Sequence, residues 1–202
     1  MSNVETITFE VTSQNITDAL NARREAEISA HSLNENKSNT LRKLALFAND
    51  HVARAFTDAH KSLDFVASKK RVDAMRDVYE IEKIFDLADY YAQSNTVALN
   101  HYTRAIALSA VNFTTHEAIF TLDCVRSACS LDEKSRDAKK EKLVVKYQKN
   151  VKASTVNAQH RSSLEALKFF EILHERRTSN NERYFVICEN DFAKSFFEKI
   201  VK

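Results

Sequence analysis

A chain of 202 residues with no glycine and no proline must make every turn from residues that carry both a Cβ and a backbone N–H. Average usage would supply about 14 glycines and about 10 prolines. Their absence excludes Gly-rich phosphate loops, dinucleotide-binding fingerprints and nucleophile elbows, which need a residue without a Cβ where the backbone bends sharply or approaches a ligand. It also excludes collagen-like repeats, Pro-rich linkers and Gly/Ser tethers. Helices joined by short polar turns are what remains. With 44% apolar and 29% charged residues, a chain of this length buries roughly 70% of its unfolded surface and needs no disulfide.

The three cysteines, Cys124, Cys129 and Cys188, are odd in number and lack CxxC spacing, as in a reduced intracellular protein. Residues 1–6, Met-Ser-Asn-Val-Glu-Thr, have neither a basic start nor an apolar run, and no window approaches a membrane span. The expected location is cytoplasmic (the host cytoplasm or the virion, if the protein is viral), with no membrane partner. Charge is uneven. Residues 131–202 hold 16 Lys/Arg against 11 Asp/Glu, while the whole chain is only +2. Within 134–161 the ratio is 9 to 2, a bias suited to a polyanion.

Residues 4–12 alternate Ile7, Phe9 and Val11 with polar side chains, which predicts one short N-terminal strand. A helix is expected from Thr17 or Asp18 to Leu33, then a polar loop over 34–39. Apolar residues three and four apart from Leu41 to Val66 predict a long central helix over 40–67, roughly 40 Å long. Further helices are expected over 69–93, 96–111, 115–130, 139–149, 154–170 and 191–201, with a hairpin over 171–187. The fold class is therefore mainly α. A helical bundle over 1–112, suited to self-association into a homo-oligomer, would be followed by a separate domain over 113–202.

In that C-terminal part, Asn150-Val151-Lys152-Ala153-Ser154-Thr155-Val156 with Leu164 and Leu167 resembles the helix-turn-helix of winged-helix DNA-binding domains, and the hairpin resembles their wing. Asn150 stands where such turns usually hold Gly, and His160 and Arg161 stand where an apolar residue is usual. The resemblance implies a non-enzymatic DNA-binding accessory or regulatory protein acting on double-stranded DNA. Asn157 and Gln159 are suited to adenine and Arg161 to guanine. Lys146, Lys149 and Lys152 are expected at phosphates, with Arg176 and Arg177 on the wing. The alternative is a helical assembly protein of a virion or other large complex, meeting protein partners and no nucleic acid.

No catalytic, cofactor or metal constellation emerges. The seven histidines are scattered, and Glu171-Ile172-Leu173-His174 is a lone ExxH where a di-iron bundle needs two. Glu82, Asp86 and Asp89 share a helix face, which reads as a solvated stripe. Cys124 and Cys129 lie in an amphipathic pattern that favours burial.

Overall fold

The computed structural model describes residues 10–67, 69–71, 74–75, 77–93 and 96–201. The fold is mainly α with a small antiparallel sheet near the C-terminus. It divides into two compact units, 1–78 and 79–202. The expected boundary after residue 112 instead falls inside a helix, His101–Thr115, whose buried face belongs to the core of the second unit.

In the first unit, α1 (Ser13–Ser29) starts on a capping box between Thr12 and Asn15. The predicted strand over 4–12 lies, up to residue 9, outside the described residues, and Glu10 to Thr12 carry no strand. Residues 34–39 are not a loop. Asn34 accepts a hydrogen bond from Lys37 N and opens α2 (Glu35–Leu44).

The long helix over 40–67 is likewise absent. After α2 comes a 3-10 turn (Ala45–Phe47), then α3 (Asp50–Asp58) and α4 (Asp64–Ala67). Asn49 restarts the chain by accepting from Val52 N, 3.0 Å. His60, at φ 51°, stops α3. Its N–H donates to Thr57 O (3.0 Å) and Lys61 N–H to Phe56 O (2.9 Å), the paired bonds of a Schellman ending. Apolar spacing survives these breaks because each piece packs separately on α1, burying Ile16, Leu20, Leu44, Val52, Phe56 and Val66.

A buried ion network ties this unit together. Arg23 is 1% exposed and Glu27 fully buried. Arg23 Nη2 lies 2.6 Å from Glu27 Oε1, and its Nη1 donates to Val66 O of α4 at 2.9 Å. Lys37 of α2 meets the other carboxylate oxygen at 2.7 Å, and Ser32 donates to it as well. Burial alone would raise the Glu27 pKa, but the hydrogen bonds from Lys37, Ser32 and Arg23 outweigh it and hold the group at about 2.

The next stretch is not helical from residue 69. Lys69–Arg71 (β1) and Ala74–Met75 (β2) pair antiparallel, and α5 runs Val78–Gln93. The second unit continues with α6 (His101–Thr115), β3 (Phe120–Thr121), α7 (Leu122–Ser127), α8 (Ala138–Glu141), α9 (Ala153–Phe169), β4 (Leu173–Arg177), β5 (Arg183–Ile187) and α10 (Asp191–Val201). The sheet order is β3-β5-β4, antiparallel throughout, with Phe120 opposite Phe185 and Glu175 opposite Phe185 on the other side. α6 and α9 pack together. Ring contacts run Phe113–Phe120–Phe185 across α6 and the sheet, and Tyr91–Phe192–Phe170 links α5, α10 and the end of α9.

The helix expected over 115–130 is interrupted. α6 runs through Thr115 and ends on Glu117 at φ 51°, with Ala118 N–H donating to Phe113 O at 2.8 Å. Ile119, an expected core residue, is 49% exposed. The basic helix over 139–149 is only the single turn of α8. Beyond it, residues 143–151 run non-helically because side chains supply their backbone partners. Ser109 Oγ accepts from Val145 N (2.9 Å), Asn112 donates to Leu143 O (3.2 Å), and Ser130 Oγ accepts from Val151 N (3.0 Å). Tyr147 N donates to Ala128 O at 2.8 Å.

A left-handed conformation costs a residue with a Cβ about 1–2 kcal/mol, so His60→Gly and Glu117→Gly should each raise stability by roughly 0.5–1 kcal/mol after the entropy that glycine adds to the unfolded chain. Each should give a higher midpoint in thermal or denaturant unfolding. Glu27 is depressed in the folded state, so its contribution is complete above the ordinary value of 4.5 and disappears as pH falls towards about 2. Glu27→Gln should cost about 3 kcal/mol at pH 7, and the gap to wild type should close between those limits in a pH series of melts.

Candidate nucleic-acid interface

α9 carries the side chains singled out for base contact. At 100° per residue, Ser154, Asn157, Ala158, Arg161, Glu165 and Lys168 form one stripe. The first four are exposed and the last two half-buried. Val156, His160, Ser163, Leu164 and Leu167 face the core. Asn157 and Arg161, one turn apart, therefore share a solvent-facing surface, and Arg161 makes no ion pair among the described residues.

Gln159 does not join them. Two residues from each, it sits about 200° round the helix from Asn157. It is half-buried, and its Oε1 is buried without a hydrogen-bond partner. A single reading surface cannot hold all three. His160 is buried behind the stripe, with Nδ1 2.9 Å from Val156 O. Burial pushes its pKa down; the bond to Val156 opposes this, and Arg126, Arg161 and Arg183 add to it. Arg126 on α7 and Arg183 on β5 are thus part of this basic neighbourhood. Sequence reasoning missed both because neither lies in the basic run of 134–161.

The stripe meets the hairpin through charge. Lys168 Nζ lies 3.0 Å from Glu165 and 3.2 Å from Glu175 of β4, and Arg183 grips Glu175 with both Nε (2.7 Å) and Nη2 (2.8 Å). The hydrogen bonds from Arg183 outweigh burial and, with Lys168, bring the Glu175 pKa to about 2. This network holds the α9 end of the stripe to the hairpin.

Arg176 and Arg177 are both exposed, but successive strand residues point to opposite faces. Arg177 shares the face of Leu173, Glu175 and Phe185, the side on which Lys168 of α9 is bound, and its Nη1 donates to Asn181 Oδ1 at 2.8 Å in the hairpin turn. Arg176 points to the other side.

Lys149 and Lys152 are exposed. Lys152 occupies the N-cap of α9, half a turn round the helix from Arg161. Lys146 is a correction to the expected phosphate contact. Its side chain is 15% exposed, paired with Glu141 at 2.6 Å, and donates to the carbonyls of Leu131 and Glu133. It closes the 131–146 loop and has no free ammonium to offer a ligand. The helix expected over 139–149 does not lead into α9, since the segment ahead of α9 is stitched to α6 and to the residues at the end of α7 as a non-helical run.

No protein-family model, curated protein or solved structure matches the chain.

Burial pushes the Cys129 thiol up to about 12, with Glu133 adding to the rise and Lys83 opposing it, which leaves it un-ionised. The acidic stripe on α5 is occupied internally: Asp86 accepts from Asn100 N (3.1 Å) and Asp89 from Gln93 (2.6 Å). Among the described residues no helix is long and apolar enough to cross a membrane.

Lys146→Met should lower stability by about 2 kcal/mol, because it strips a charged partner from Glu141 and two carbonyls. The check is a thermal melt in which Lys149→Met, an exposed lysine nearby in the chain, shifts the midpoint little.

Proposed function

We propose that residues 101–201 bind double-stranded nucleic acid, with the Ser154/Asn157/Arg161 stripe of α9 entering a groove and the β4–β5 hairpin lying alongside it. The observation that carries this reading is the solvent-facing Asn157–Arg161 pair. These are a base-reading amide and a guanidinium one turn apart on a helix whose opposite face is anchored in a core. Leaving aside the single turn of α8, the order helix–strand–helix–helix–hairpin (α6, β3, α7, α9, β4–β5), with the first strand pairing the second strand of the hairpin, resembles that of winged-helix domains and supports the reading.

The residue roles narrow accordingly. Asn157 and Arg161 are the base-edge candidates, Lys152 a phosphate contact at the start of α9, and Arg177 a contact from the hairpin. On this reading the chain acts as a non-enzymatic accessory or regulatory factor.

The test is fluorescence anisotropy of the full chain with labelled duplexes of mixed sequence between 50 and 200 mM salt. Binding should weaken steeply as salt rises. Arg161→Glu should flatten the preference among sequences and cost about 1–3 kcal/mol on the preferred one. Absence of binding at the lowest salt, or affinity indifferent to salt, overturns the proposal and favours the assembly component.

A further inference from the structure

The non-helical segment 143–151 does more than connect α8 to α9. Together with the exposed side of α6 it walls a groove of about 400 Å³. Its polar lining is His101 and Arg104 from α6 and Lys146, Tyr147, Gln148 and Lys149 from the segment, and no carboxylate lines it. Lys146 is turned away into its pair with Glu141. Arg104 and Lys149 are exposed and make no ion pair among the described residues. The rim is ordered rather than a fringe of loose side chains. The His101 ring stacks on Tyr147 at 5.5 Å and 19°, and Tyr147 is braced from below by Tyr102 at 4.8 Å. The wall itself is pinned through Tyr147 N to Ala128 O (2.8 Å) and through Leu131 N to Lys149 O (3.2 Å).

Two unpaired cations, an amide and a positioned imidazole facing one concavity without an acid suit a row of phosphates. The place also suits it. Lys149 is four residues from Ala153, the first residue of α9, so the groove opens at most about 14 Å from the start of that helix. Measured along the axis of a duplex, where each strand rises 3.4 Å per nucleotide, that is at most about four phosphates of one strand.

We propose that this groove is a second nucleic-acid contact, in which Arg104 and Lys149 grip the phosphodiester backbone running past the start of α9. The proposal rests on the reading of α9 given above and adds Arg104 and His101, which lie outside the basic run, to the interface. A backbone grip strengthens binding to all sequences alike and carries no base preference.

The experiment is the salt titration of the full chain with a 30-base-pair duplex, run on wild type, on Arg104→Glu/Lys149→Glu, on the milder Arg104→Gln/Lys149→Gln and on Arg161→Glu. Unfolding melts confirm that each is folded. The charge-reversed pair should weaken binding by at least roughly tenfold at 50 mM salt and reduce the slope of log affinity against log salt by about two. It should leave the ranking of sequences unchanged, and the glutamine pair should move the same way by less. If both pairs bind like wild type with an unchanged slope while Arg161→Glu weakens, the groove proposal is wrong and the α9 reading stands. If the pairs weaken and Arg161→Glu is silent, the groove stands and the α9 reading falls. A wild type that binds no duplex overturns both.

Discussion

No reversal in this chain can use glycine, and at five described positions the backbone instead forces a side-chain-bearing residue into the left-handed region. His31, His60, Glu117 and Glu171 each sit at φ near 50° just past a helix end, and Asn181 does the same at 63° in the hairpin. At about 1–2 kcal/mol apiece for a residue with a Cβ, these endings together cost an amount comparable to the net stability of an ordinary domain. They persist because packing holds the residues on either side. After α9, Ile172 N–H donates to Leu167 O at 2.9 Å, and both side chains are fully buried. That is the hydrophobic closure that accompanies a Schellman ending. The turn from α9 into β4, and hence the position of the hairpin beside the Asn157/Arg161 stripe, hangs on that one ending.

Buried polar groups do the remaining positioning. In the first unit the Arg23–Glu27 pair reaches α4 through Val66 O and α2 through Lys37. Those partners are specific donors and acceptors on three helices, so removing one of them leaves a buried charge without its partner. In the second unit Ser109, Asn112 and Ser130 play the same part for residues 143–151. A serine or asparagine in a helix interior usually weakens it slightly. Here the hydroxyl of Ser109 both accepts from Val145 N (2.9 Å) and contacts Val145 O (3.2 Å), so α6 serves as a template for a strand-like segment that has no sheet to join. The groove carrying Arg104 and Lys149 exists because of that template.

How much of this was legible depended on the range of the deciding interaction. The α9 helix, the hairpin over 173–187 and α10 are where local pattern puts them, because amphipathic spacing, β-branched runs and an Asn-rich turn all act within a few residues. The unbroken helix over 40–67 and the basic helix over 139–149 are not there. Their apolar or charged spacing is compatible with a helix. What breaks them is a cap at Asn49, a left-handed His60 and hydrogen bonds to residues far back in the chain, Ser109 and Asn112 being 36 and 31 positions from their partners. The candidate site divides the same way. Asn157 and Arg161 share a face by helical arithmetic alone. The loss of Lys146 to Glu141 and the separation of Arg176 from Arg177 needed the loop closure and the strand register.

Composition and periodicity by themselves determined that this chain is mainly helical, that it ends in a hairpin and an amphipathic helix, and that its positive charge gathers ahead of α9. Those properties follow from rotamer, propensity and burial preferences that each residue carries wherever it stands. Tertiary structure alone decided where helices stop, which cations remain unpaired, and that a segment rich in lysine lies along α6 as one wall of a groove. These depend on which distant donor or acceptor comes within 3 Å, and linear order does not encode that distance.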